Sequence, residues 1–224
     1  MPTGLDDVPH VAPAALAGMI DPARSALLII DVQEDFASPT GAMARMGADM
    51  SGVPPALDRI ADLIAAARGA GVSLAFAKVI TTADTDPGAL KRLTARKGQD
   101  PQTIAICREG QPGSAYYQVR PLAGEIEAAK RLYNAFHGTD LDAQLRARGV
   151  DTLVVVGFTT HCCVDATCRD AFHRDFNVFV VADATDAYSS ETQHSALRVL
   201  YETCALITDT AGVLAAWGAA APSE

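Results

Sequence analysis

The chain has 224 residues, 49% of them apolar and 20% charged, enough for one α/β domain with a full core and too apolar for a disordered chain. Its formal net charge of −9 disfavours a nucleic-acid partner. No apolar run reaches the roughly 18 residues a membrane span needs.

The start, MPTGLDDVPH, is acidic and lacks the basic-then-apolar order of a signal peptide, which predicts a cytoplasmic protein. Residues 1–24 hold Pro2, Pro9, Pro13 and Pro22 and read as an irregular arm with one short helix over Ala14–Met19. A single domain is expected over 25–218. Its first strand is the unbroken apolar run Ala26-Leu27-Leu28-Ile29-Ile30, which ends in the carboxylate of Asp31. Such a run marks a central parallel strand, and α/β sheets place their sites at strand carboxyl ends. Asp35, just beyond, reads as solvated.

Residues 37–55 read as loop. A helix opens at Pro54-Pro55, with Ala56, Ile60, Leu63, Ile64 and Ala67 on its apolar face and Gly69 and Gly71 at its end. Val72–Ile80 is the second strand. The segment 81–121 carries one helix near Pro87–Lys97. A connection this long suggests a lid or an oligomer contact. Gly124–Lys130 alternates Glu125 and Glu127 with Ile126 and Ala128, a weaker strand ending in Lys130. Thr139 and Asp142 resemble a capping box for a helix reaching Arg148, closed by Gly149.

The most informative stretch is Leu153–Ala171, LVVVGFTTHCCVDATCRDA. An apolar strand over Thr152–Val156 breaks at Gly157, a polar turn follows, and Cys163 opens a helix running to His173. A thiol at a helix N-terminus feels the positive end of the dipole, which predicts a lowered pKa and a nucleophilic Cys163. Asn177–Ala182 is a further strand, Ser190–Cys204 a helix, Ala205–Ile207 a short strand and Thr210–Trp217 the last helix. Alternating strands and helices predict a doubly wound, mostly parallel six-stranded sheet with helices on both faces. The five cysteines, Cys107, Cys162, Cys163, Cys168 and Cys204, are odd in number in a chain of ordinary size, which argues against a disulfide framework.

Three ordered motifs carry a resemblance: Leu28-Ile29-Ile30-Asp31-Val32-Gln33 with Phe36, Lys130 with Ala135-Phe136 and Gly138-Thr139, and Gly157-Phe158-Thr159-Thr160 with Cys163-Val164. Together they resemble the cysteine-hydrolase branch of the isochorismatase-like superfamily, which includes nicotinamidases, N-carbamoylsarcosine amidase and ureidoacrylate hydrolases. The resemblance covers roughly residues 25–215. It implies a triad of Asp31 as acid and base, Lys130 as electrostatic partner and Cys163 as nucleophile, with a thioester intermediate. It also implies an oxyanion hole at Thr159 and Cys163, and a cis peptide at Phe158–Thr159. The expected reaction is C–N hydrolysis of a small amide or carbamoyl compound, on a protein that is a homo-oligomer. Nicotinamidases of the family hold a divalent metal through an Asp-x-His and a further histidine. No histidine lies between Asp31 and Lys130, so neither a metal nor another cofactor is expected.

Two positions depart from the family pattern. Asn134 stands where serine is common before Ala-Phe, and His161-Cys162 precede the nucleophile. Gln33, Phe36, Tyr133, Asn134, Phe136 and Phe158 are the expected substrate-binding residues. Alternatives are hydrolysis of another bond type, a Cys–His dyad using His137 or His161, and a redox or small-molecule-binding protein built on Cys162 and Cys163.

Overall fold

A computed structural model describes residues 8–219. Its centre is strand β1 (Ser25–Ile30), every residue of which is buried. Around it lie β2 (Ser73–Val79), β3 (Ile126–Lys130), β4 (Thr152–Phe158), β5 (Asn177–Asp186) and β6 (Leu206–Thr208), in the order β3-β2-β1-β4-β5-β6. All pairings are parallel, so the sheet is wholly rather than mostly parallel. The chain runs outward from β1 to β3 and returns to β4 on the other side. The strand order therefore reverses between β1 and β4, where open α/β sheets hold their ligands.

The apolar runs are continuous because both faces are covered. Leu27 and Ile29 belong to one core cluster, and Ala26, Leu28 and Ile30 to the other. In chain order the helices are α1 (Pro13–Leu16), α2 (Glu34–Ala37), α3 (Ala42–Arg45), α4 (Val53–Ala70), α5 (Gly88–Arg96), α6 (Leu141–Ala147), α7 (Asp165–His173), α8 (Ser190–Thr203) and α9 (Thr210–Ala216). Ile60 and Leu63 of α4 and Val213 and Leu214 of α9 fill the first cluster. Leu141 and Leu145 of α6, Cys168 and Ala171 of α7, and Leu197 and Leu200 of α8 fill the second.

Several local expectations change. The first helix is only one turn, Pro13–Leu16. The 37–55 stretch contains the turn α3, and α4 begins at Val53 with the two prolines in its first turn. Only Gly71 ends α4, at φ 74°, whereas Gly69 lies inside it. The capping box does not form. The Thr139 hydroxyl donates to Ala135 O at 2.6 Å, Asp142 is paired with Arg174, and the helix starts at Leu141. β5 continues past Ala182 to Asp186, with a register irregularity opposite Val155–Gly157.

The 81–121 segment is pinned to the chain that leaves β1. Gln33 bridges Tyr116, Glu34 N–H donates to Ala115 O at 2.9 Å, and Tyr117 N–H donates to Val32 O at 3.0 Å. Among the described residues no helix is long and apolar enough to cross a membrane.

Candidate active site

Three strand ends converge. Ile30, the last residue of β1, is in register with Ala77 of β2 and Gly157 of β4, and Val79 of β2 is in register with Lys130. Asp31 therefore leaves the sheet between β2, with the end of β3 one strand further out, and the β4 turn. It does so at φ 52°, a left-handed conformation that aspartate tolerates better than most side chains. Its N–H still donates to Ala77 O at 2.9 Å. Gly157, at φ 112°, passes so close to β1 that a Cβ there would stand 2.0 Å from Ile30 O.

Lys130 and Asp31 form a buried ion pair. Lys130 Nζ is 2.6 Å from Asp31 Oδ2, and both side chains are wholly shielded from solvent. The ammonium donates a second bond, at 2.8 Å, to Leu132 O. Asp31 Oδ1 is buried and makes no hydrogen bond of regular geometry. Cys163 is the thiol that acts on this carboxylate and on the ammonium.

Cys163 sits in a π-helical turn, Thr160–Val164, that precedes α7, and does not itself open an α-helix. Such turns recur at functional sites. The Thr159 carbonyl accepts the N–H groups of Cys162 at 3.0 Å and Val164 at 3.1 Å. The two neighbours of Cys163 are thus tied down around its own amide. The Phe158–Thr159 peptide bond is cis.

The electrostatics correct one expectation. The side-chain hydrogen bond with Cys162, then burial, then the charge of Asp31 push the Cys163 thiol well above its ordinary pKa, against the opposing pull of Lys130. Cys163 therefore rests as a thiol and not a preformed thiolate, because the bond with Cys162 and desolvation outweigh Lys130. Cys162 moves the other way: its hydrogen bond with Cys163 lowers it, against burial. Burial raises Asp31 above the ordinary aspartate range, outweighing Lys130 and Cys163, and so makes the carboxylate a better proton acceptor. Burial alone would pull Lys130 down, but Asp31 and Cys163 outweigh it and the ammonium stays charged.

The expected pocket residues divide. Gln33 is fully buried, and its amide clamps backbone: Nε2 donates to Val79 O and Ser114 O, each at 2.9 Å, and Oε1 accepts from Val79 N–H at 2.7 Å. Phe136 stacks on Phe176 at 5.8 Å beneath the Arg174 guanidinium, inside the second core cluster. Phe158 and Phe36 belong to the first core cluster, and Phe36 O accepts from the Tyr188 hydroxyl at 2.6 Å. Asn134 Nδ2 donates to Asp170 Oδ2 at 2.6 Å, on α7. Tyr133 is 39% exposed, and its phenol is influenced by both Cys162 and Cys163, which places it at the rim beside the thiols.

Asp35 is buried rather than solvated. It accepts from Cys107 N–H at 2.7 Å and Ala42 N–H at 3.1 Å, so it joins the two loops that flank the site. No sequence signal marked this role, since its partners are backbone amides, which carry no side-chain pattern. His137 and His161 lie exposed, while Cys162, Asp31 and Lys130 act on the thiol. Among the described residues no cluster of three or more His, Cys, Asp or Glu side chains is arranged around a metal site.

A buried lysine, carboxylate and thiol lie at the reversal of the strand order of a parallel α/β sheet. The chain belongs to the isochorismatase family: the Isochorismatase domain matches residues 25–212. A ureidoacrylate amidohydrolase RutB from Methylobacterium radiotolerans is 37% identical over 196 residues, 82% of this chain and 75% of that protein. A cysteine hydrolase from Pseudomonas syringae pv. phaseolicola 1448A superposes with a TM-score of 0.76 at 28% identity, covering 89% of this chain and 94% of that one. An isochorismatase family protein from Desulfovibrio vulgaris superposes with a TM-score of 0.70 at 31% identity, covering 83% and 94%.

Proposed function

We propose that the protein hydrolyses a C–N bond of a small acyclic amide or carbamoyl compound through a thioester on Cys163. The observation that carries this reading is the wholly buried Lys130–Asp31 pair at 2.6 Å with the Cys163 thiol acting on both. The relative named as a ureidoacrylate amidohydrolase supports ureido acids as the first substrate class to try.

Cys163 Sγ attacks the carbonyl carbon while Asp31 Oδ1 takes the thiol proton, so the raised thiol pKa is met by an equally shielded base. Lys130 keeps Asp31 anionic until that moment. The oxyanion forms against the backbone N–H groups of Thr159 and Cys163. Asp31 then gives its proton to the departing nitrogen, and the C–N bond breaks. Water, deprotonated by Asp31, hydrolyses the thioester and frees the thiol. Tyr133, at the rim, is the side chain we assign to substrate contact.

The working compartment we propose is the cytoplasm, in keeping with five free thiols. A homo-oligomer is supported by the exposed Met19, Phe172, Tyr201 and Leu206, which share one groove, and light scattering tests it. Activity is tested by screening ureido acids and linear amides for ammonia release with the wild type, Cys163→Ala and Cys162→Ala. The reading requires release by the wild type and Cys162→Ala and none by Cys163→Ala. Equal release by all three sinks it.

A further inference from the structure

Lys130 ends β3, and the loop that follows carries Leu132 and Tyr133, yet it has no regular structure of its own from Arg131 to Asp140. What fixes it is a pair of contacts to α7, the helix that continues from the Cys163 turn. Ala135 N–H donates to Thr167 Oγ1 at 3.1 Å, and Thr167 is wholly buried. One residue earlier, Asn134 Nδ2 donates to Asp170 Oδ2 at 2.6 Å. Asn134 Oδ1 accepts from Phe136 N–H at 2.9 Å, which closes the loop around the contact. Asp170 is itself held by Arg174, whose Nε lies 2.9 Å from Oδ1. Within the same loop, Leu132 O accepts from the Lys130 ammonium at 2.8 Å.

We propose that Asn134 and Thr167 are positioning residues: they latch the Leu132–Phe136 loop onto α7 and so fix the Lys130 ammonium and the Tyr133 ring relative to Cys163. This rests on the reading of Lys130 and Cys163 as catalytic partners. Lys130 has two anchors, Asp31 Oδ2 just beyond β1 and Leu132 O on the loop. The first sets its distance to the base. The second is only as firm as the loop, and the loop is tied to the nucleophile's own helix by Thr167 and Asp170. Asn134 suits this task where a shorter serine would not span to Asp170. The departure from the family's usual residue thus has a structural partner on α7.

The test follows the thiol rather than turnover, so it does not depend on knowing the substrate. In a Cys162→Ala background, Cys163 is the one thiol of the turn. Its rate of alkylation by iodoacetamide is measured against pH by peptide mass mapping. The groups that face this thiol in that background are Asp31, Lys130, Tyr133 and Tyr188. The ammonium favours the thiolate, so loosening it moves the midpoint to higher pH.

Thr167→Val and Asn134→Ala are each expected to move the midpoint upward. Thr167→Ser, which keeps the hydroxyl acceptor, is expected to restore it. Turnover is expected to fall about tenfold to a hundredfold in the first two variants, as small misplacements of reacting groups do. A midpoint unmoved in both variants, or moved equally by Thr167→Ser, overturns the proposal. Loss of the catalytic reading shows separately, as full activity in Cys163→Ala. Should Thr167→Val not fold, the half-buried Asn134→Ala decides alone.

Discussion

The Lys130 ammonium stands 2.6 Å from the Asp31 carboxylate across 99 residues of sequence, and neither side chain is exposed. A charge pair this dry is held by its mutual attraction and by Leu132 O, and removing one partner strands the other. Asp31→Asn and Lys130→Met are each expected to cost about 3–5 kcal/mol of stability, since each leaves one uncompensated buried charge. The double variant removes both charges and is expected to be more stable than either single variant. Urea denaturation of the three proteins checks this.

The role of base proposed for Asp31 sets the sign of a pH dependence. Burial raises its pKa above the ordinary aspartate range, and that role requires the ionised form. As pH falls, kcat/KM is therefore expected to decline at a pH above the ordinary aspartate value of about 3.9. Lys130, raised above the ordinary lysine value, stays charged well into the alkaline range and sets no limb near neutrality. A pH profile of kcat/KM measures both statements.

Thiol labelling provides a third check. Because the pKa of Cys163 is pushed well up by Cys162, burial and Asp31, iodoacetamide is expected to leave it unlabelled on the acidic side of neutrality. Cys162, shifted down by its bond with Cys163, is expected to react first. Tandem mass mapping of the Thr160–Val164 peptide distinguishes the two sulfurs.

Two glycines predict opposite outcomes. In Gly157→Ala the new methyl would meet Ile30 O at 2.0 Å with the backbone at φ 112°. It is expected to cost at least about 2 kcal/mol and to shift Asp31, the next residue along β1. Gly69 lies inside α4 with nothing within 4 Å of a would-be Cβ, so Gly69→Ala is expected to stabilise by about 0.5–1 kcal/mol. Thermal unfolding of both variants compares them.

The sheet was legible because its strands announce themselves. Leu27–Ile30 and Leu153–Val156 are apolar on both faces, as only a parallel sheet covered on both sides requires. Lys130 was legible as a site residue only through the family motif, since its strand alternates weakly and most lysines are solvated. The supporting contacts were not legible at all. Gln33 looks like a pocket residue by its neighbours, yet its amide is consumed by Val79 and Ser114. Asp35 looks solvated, yet it is buried against Cys107 and Ala42 amides. Asn134 reads as a substrate contact, yet its amide faces Asp170. In each case the partner lies far along the chain or is a backbone group, and neither composition nor periodicity encodes it. Local end effects failed for a similar reason. The Thr139 hydroxyl donates to Ala135 O at 2.6 Å and accepts only a long bond, 3.4 Å, from Leu141 N–H at the helix start.

The central claim is that Cys163 carries the acyl group, and the most direct measurement is intact mass of the enzyme quenched in acid during turnover of a ureido acid or linear amide. A transient added mass equal to the acyl fragment is expected, mapped to Cys163 and absent from Cys163→Ala. Turnover with no added mass at any time, together with undiminished activity in Cys163→Ala, would contradict it.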